Sequence, residues 1–215
     1  MSVKDNLQHL RGSLPPEVKL VAVSKFHPVE RLMEAYQAGQ RRFGENRPQE
    51  FAAKVPQMPS DVEWHFIGHL QTNKLRQVLP FAALVESVDS LHLLEAIDAW
   101  GTANGKVVPV LLELHLGAEE TKHGFSEDEL LALQPSNYAG VRFRGLMGMA
   151  TNTDDLAVVE ADFARIEALF LKLRGKFGDT FTELSTGMSG DWPLAVKHGA
   201  TIVRIGTDIF GPREY

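Results

Sequence analysis

Eight short apolar segments, each followed by or leading into a stretch of helical periodicity, constrain this chain more than any other feature of its sequence. The strand-like segments are Lys19–Val23, Arg42–Gly44, Glu63–Ile67, Leu84–Ser87, Val107–Leu114, Gly145–Met149, Phe181–Leu184 and Ile202–Arg204. Between them, the helix-like ones are Val29–Ala38, Arg47–Lys54, Asn73–Leu79, Ser90–Ala103, Ser126–Leu133, Asp155–Lys176 and Trp192–His198. In the longest of these, Leu156, Val159, Phe163, Ile166, Phe170 and Leu173 recur at three- and four-residue spacings and make one apolar stripe. Strands separated by helices are joined by right-handed parallel crossovers. Eight of them predict an α/β fold, a (β/α)8 TIM barrel, with an extra N-terminal helix in "MSVKDNLQHLRGSL". A length of 215 residues suits one such domain over residues 1–215. The competing doubly wound open sheet usually carries a glycine-rich turn after its first strand. Here that turn reads Ser24-Lys25-Phe26-His27, with no glycine.

Charge and composition narrow the function. The formal net charge of −6, with no compensating basic tail, argues against a nucleic-acid or membrane-surface role. The chain has no cysteine, which excludes a disulfide framework and a thiolate metal site. The first residues lack the apolar core of a signal peptide, and no stretch reaches the length of a transmembrane helix. The expected setting is the cytoplasm.

In a parallel barrel the active face is where strands end and helices begin. The polar segments gather there: Lys25 after the first strand, "GENRPQE" after the second, "GHLQTNK" after the third and "SVDS" at the fourth. "STGMSGDW" follows strand seven and "RIGTDIFG" closes strand eight, the two positions at which barrels often hold phosphate. Ser185, Thr186 and Ser189 offer hydroxyls, Gly187 and Gly190 permit close backbone approach, and Asp191 is placed to cap the next helix. Gly206 and Thr207 supply donors opposite. A lysine at the mouth of an apolar barrel, facing a phosphate, can form a Schiff base with an aldehyde, because burial disfavours its ammonium form. Pyridoxal 5′-phosphate joins aldehyde and phosphate on one rigid ring, so Lys25 and the two loops together point to that cofactor.

The segments "AVSKFHP", "FGENRPQE", "WHFIGHLQTNK", "SVDS", "EETKHGF", "GLMGMA", "LSTGMSGD" and "VRIGTDIFG" resemble, in order, the signatures of the pyridoxal phosphate homeostasis protein family. The likeness runs from about Val21 to Tyr215 and implies the (β/α)8 barrel of the alanine racemase N-terminal domain. It makes Lys25 the lysine of the internal aldimine and aims Arg204 at the pyridine nitrogen. It sets Ser185, Ser189, Gly206 and Thr207 in the phosphate loops, Asn46 beside the ring, and Lys122 as a second lysine near the mouth. Two departures stand out: Thr186 occupies a position that is methionine in many members, and the N-terminal helix is shorter than usual.

The resemblance implies a protein that binds the cofactor, without established catalytic activity, and affects vitamin B6 and amino-acid/keto-acid balance. An arginine at the pyridine nitrogen weakens the ring as an electron sink. The competing reading is an amino-acid racemase or lyase, which needs a second acid–base group. In alanine racemase that group is a tyrosine from the partner's second domain. The tyrosines here are Tyr36, Tyr138 and Tyr215, and none stands in a segment assigned to the mouth. With one barrel domain, the expectation is a monomer that holds the cofactor or hands it to apo-enzymes dependent on it. No metal is assigned: His65 and His69 have an i,i+4 spacing, but on a strand running into a loop rather than on a helix. The arginines of "RRFGENR" lie in a surrounding chain that is acidic and lacks interleaved aromatics, Glu119, Glu120 and Lys122 read as a solvated turn, and Met147 and Met149 as core or pocket wall.

Overall fold

The computed structural model describes residues 2–117 and 123–212. Its strands are β1 (Lys19–Val23), β2 (Arg42–Glu45), β3 (Glu63–Phe66), β4 (Ala82–Val88), β5 (Val108–Leu114), β6 (Val141–Gly148), β7 (Glu183–Ser185) and β8 (Ile202–Ile205). They form one closed parallel barrel in chain order. Closure comes from β8 pairing back on β1, from Lys19 opposite Ile202 to Ala22 opposite Ile205. The expected barrel is the observed one.

Strand alternation divides the core in two. Val21, Leu84, Leu111, Met147 and Ile202 fill the inside of the barrel. The other set, including Ala22, Phe43, Phe66, Val110, Leu146 and Val203, faces outward onto the helices. Helix α1 (Val3–Ser13) precedes β1 and begins with a capping box in which Ser2 and Asp5 satisfy each other's backbone N–H groups. It buries Val3, Leu7 and Leu10, and its Asn6 side chain donates to the Ile209 carbonyl at 3.0 Å, tying the start of the chain to the end of the barrel.

The connecting helices are α2 (Val29–Gln37), α3 (Pro48–Lys54), α4 (Leu75–Val78), α5 (Leu91–Ala103), α6 (Glu127–Ala132), α7 (Leu156–Phe177) and α8 (Trp192–Lys197). Asp155 caps α7 by accepting from the Ala157 amide, and Gly178 ends it with a positive φ. Its buried stripe is Val159, Phe163, Ile166, Leu169, Phe170, Leu173 and Phe177, each worth about 1.5–3 kcal/mol when fully buried. Leu156, expected to head that stripe, is 67% exposed, so the buried stripe begins at Val159.

Other expectations need correction at their edges. β6 starts at Val141 rather than Gly145, because Arg142 and Arg144 alternate with Val141 and Phe143 and their charge hid the strand period. Phe181 belongs to the core rather than to β7, stacking on Phe170 and Phe177 at 5.5 and 4.7 Å. A further short helix, α9 (Thr207–Phe210), lies within a segment read only as a loop. Among the described residues no helix is long and apolar enough to cross a membrane.

Candidate functional site

The chain leaves β1 through a turn that is clamped from beneath. Buried Ser24 donates its hydroxyl to Glu45 Oε1, and Lys54 Nζ donates both to that same oxygen, at 2.8 Å, and to the Ser24 carbonyl, at 2.9 Å. The Phe26 amide donates to Glu50 Oε2 at 3.0 Å, and the His27 amide closes the turn on the Ser24 carbonyl at 3.1 Å. Phe26 takes φ +68°, a left-handed conformation that costs a side-chain-bearing residue on the order of 1 kcal/mol or more. The Glu45–Lys54 pair is almost fully buried, and burial pushes the Glu45 carboxyl above its ordinary value despite Lys54 and Ser24. This turn carries Lys25 to the mouth of the barrel, where it lines a cavity.

A second buried network fixes Arg204 on β8. Its Nη1 donates to Ser185 Oγ at 2.7 Å and its Nη2 to the Gly148 carbonyl at 3.1 Å. Ser185 in turn donates to Glu86 Oε2, whose other oxygen meets His65 Nδ1. Arg204, Ser185, Glu86 and His65 are all buried, and they come from β8, β7, β4 and β3. Burial alone would raise the Glu86 carboxyl. The His65 contact, with Arg204 and Ser185, outweighs it and holds the group below its usual range. The carboxylate, 3.8 Å from Arg204 Nη1, offsets its charge, while Ser185 and the Gly148 carbonyl orient the guanidinium.

These two constructions converge on one cavity of about 210 Å³, lined by Lys25, Ser189, Arg204, Gly206 and Thr207 among others. The loop after β7 turns at Gly187, whose φ of +95° favours glycine and whose β-carbon would stand 2.7 Å from that of Ala195. Asp191 does not cap α8. Its side chain instead accepts from the Met188 amide at 2.6 Å, shaping the loop that carries Ser189. Across the cavity, α9 begins at Thr207, and the first amides of a helix have no partner within it.

Of the residues singled out from the sequence, Lys25, Ser189, Arg204, Gly206 and Thr207 line this cavity. Ser185 lies behind Arg204, its hydroxyl engaged on both sides. Asn46 packs on Gly68, which tolerates no side chain: a β-carbon there would stand 2.2 Å from the Asn46 carbonyl oxygen. Asn46 Oδ1 is buried with no hydrogen-bond partner among the described residues. Lys122, Glu119 and Glu120 lie outside the described residues. Glu86, Glu45 and Lys54 escaped the sequence reading. Their signal was a carboxylate inside an otherwise apolar strand in "LVESV" and at the end of "RFGE".

A second cavity of about 240 Å³ opens on the β3–β6 side of the same mouth, lined by Gly68, His69, Glu113, His115, His123 and Met149 among others. Burial and the nearby Asp89 push the Glu113 carboxyl up to about 7, with Arg204 pulling the other way.

The closed barrel, with a lysine and an anchored arginine facing hydroxyl-bearing loops after β7 and β8, defines a barrel of the alanine racemase N-terminal type. The family model described as "Alanine racemase, N-terminal domain" matches residues 1–214. The Pyridoxal phosphate homeostasis protein of Pasteurella multocida is 38% identical, over 99% of this chain and 95% of its own length. The protein of the same name from Schizosaccharomyces pombe is 40% identical over 91% of this chain and 84% of its own. PipY of Synechococcus elongatus, solved with PLP bound, superposes with a TM-score of 0.90 at 40% identity, covering 98% of this chain and all of PipY. The chain belongs to the pyridoxal phosphate homeostasis protein family.

Proposed function

We propose that this protein holds pyridoxal 5′-phosphate in the 210 Å³ cavity, covalently through Lys25 Nζ, and serves vitamin B6 and amino-acid/keto-acid homeostasis. The observation that carries the reading is the convergence of Lys25, Arg204 and the Ser189, Gly206 and Thr207 wall on one space. The donor set fits the group: an amine for the aldehyde, hydroxyls and backbone amides for the phosphate, and a cation for the pyridine side. When bound, the cofactor supplies an electron sink for a substrate carbon. The fixed charge of Arg204, compensated by Glu86 through Ser185, favours an unprotonated ring nitrogen and so a weak sink. Ser189, Gly206 and Thr207 would hold the phosphate, and Asn46, outside the lining of this cavity, would approach the ring only from the side of the loop after β2.

Holding rather than transforming is the reading the tyrosines support. Tyr36 donates its hydroxyl to Asp61 at 2.7 Å, and Tyr138 packs on Phe143, both near the end of the barrel where strands begin. Tyr215 lies outside the described residues. Hand-over of the cofactor to dependent apo-enzymes is part of the proposal, tested by whether the loaded protein activates an apo-enzyme faster than free cofactor at equal concentration.

The experiment for the site is an absorbance spectrum with pyridoxal phosphate, then borohydride reduction and peptide mapping. A reduced adduct on Lys25, absent in Lys25→Ala, is expected. No adduct, or one on another lysine, overturns the assignment. Exchange of an amino-acid α-proton with solvent deuterium at a catalytic rate would overturn the non-enzymatic reading.

A further inference from the structure

The loops after β3, β4 and β5 bring together three side chains that lie far apart in sequence: His69, Asp89 and His123. One ligand atom from each lies within 4.8 Å of the others. Asp89 is the centre of the group, with a side chain only 4% exposed. Its Oδ1 accepts from Ser90 Oγ at 3.0 Å, which leaves Oδ2 to the imidazoles. His69 Nδ1 approaches Oδ2 at 2.6 Å and His123 Nδ1 at 3.8 Å. The two rings lie face to face, with centroids 4.1 Å apart and planes 17° apart.

We propose that His69, Asp89 and His123 form a binding site for a divalent transition-metal ion of the zinc class. Tetrahedral zinc with bonds of about 2.0–2.1 Å sets its ligand atoms roughly 3.4 Å apart. The separations of 2.6 and 3.8 Å straddle that value and the His69–His123 pair lies within 4.8 Å, so the metal would have to draw the set together by side-chain rotation. On binding, His69 takes the neutral tautomer with its proton on Nε2, so that Nδ1 offers its lone pair to the metal in place of the hydrogen bond to Asp89. Two imidazole nitrogens and a carboxylate select zinc, cobalt, nickel or copper over magnesium and calcium, which prefer oxygen-rich sites. Ser90 orients the carboxylate as an outer-sphere partner, the arrangement that holds metal ligands in place.

Three protein ligands leave a fourth position open, as in zinc sites that take a water or an anionic ligand. That position faces the 240 Å³ cavity, which His69 and His123 line together with Glu113 and His115. The site stands apart from the Lys25 cavity and does not depend on the cofactor. It also differs from the His65–His69 pair considered in the sequence: His65 is buried and committed to Glu86, and the partners of His69 come from later loops. Spacing along the chain does not reveal this grouping, because the acidic partner of His69 comes from the loop after β4.

The test uses untagged full-length protein, stripped with a chelator and then titrated with Co2+. Bound metal is read by elemental analysis and by the visible d–d bands of four-coordinate cobalt, and Zn2+ is then added as competitor. One equivalent of Co2+ with those bands, displaced by Zn2+, is expected. His69→Ala and His123→Ala should each weaken binding at least about tenfold, the scale seen even for outer-sphere partners. His123 is exposed, so its truncation leaves folding intact, which an unchanged melting temperature verifies. His9→Ala, on α1, and Lys25→Ala should bind as the parent does. Binding below one equivalent, or binding indifferent to both His69→Ala and His123→Ala, overturns the proposal.

Discussion

Replacing Glu86 with glutamine removes one charge and almost no volume from the centre of the barrel. Glu86 is fully buried, contacts His65 and Ser185 directly, and lies 3.8 Å from Arg204 Nη1. At an effective dielectric near 20, a charge pair at that separation interacts by about 4 kcal/mol. Removing one partner of a buried pair costs roughly 3–5 kcal/mol, since the remaining charge is left uncompensated. The amide keeps an oxygen to accept from Ser185, and its NH2 can donate to His65 Nδ1 once that ring carries its proton on Nε2, so Glu86→Gln should cost about 3 kcal/mol, the lower end of that range. For a chain of this size that lowers the melting temperature by roughly 6–12 °C. The assay is urea unfolding at a series of pH values. Because the folded carboxyl titrates below its ordinary value of 4.5, its stabilisation is fully present above that pH. It is lost as pH falls through the folded value. The gap between parent and Glu86→Gln should therefore be full at neutral pH and narrow on acidification below 4.5. A loss under about 1 kcal/mol at neutral pH, or a gap that widens on acidification, would refute the account of Arg204 as a guanidinium held by an ionised Glu86.

Two further substitutions test the packing of the mouth. Thr186 is fully buried and its hydroxyl has no partner among the described residues, so Thr186→Val should stabilise the protein by about 1 kcal/mol in urea unfolding; destabilisation would mean that the hydroxyl is bonded. Gly68→Ala drives a β-carbon against the Asn46 backbone and should cost roughly 2–3 kcal/mol by thermal unfolding. A loss well below 1 kcal/mol would show that the loops after β2 and β3 can separate.

The local order of elements is written in the chain. Apolar runs of strand length, glycines after helices and the stripe on α7 each report a period of 2 or 3.6, and periods are properties of neighbours in sequence. That Lys25, Ser189, Gly206 and Thr207 line one cavity was legible for a related reason: in a parallel barrel every strand ends at the same mouth, so position after a strand is position at that mouth. The charged half of β6 was missed because alternating arginines look like a loop until Glu183 is seen beside Arg144. Contacts across the barrel were beyond the sequence altogether. Ser185 reads as a phosphate-loop hydroxyl, yet it is turned inward between Glu86 and Arg204, 99 and 19 residues away along the chain. The grouping of His69, Asp89 and His123 likewise arises only when three loops meet. Sequence by itself determined the succession of strands and helices and the end of the barrel that carries chemistry. Tertiary structure decided which buried charges compensate one another, because that depends on distances across the closed sheet, which hydrophobic period does not encode.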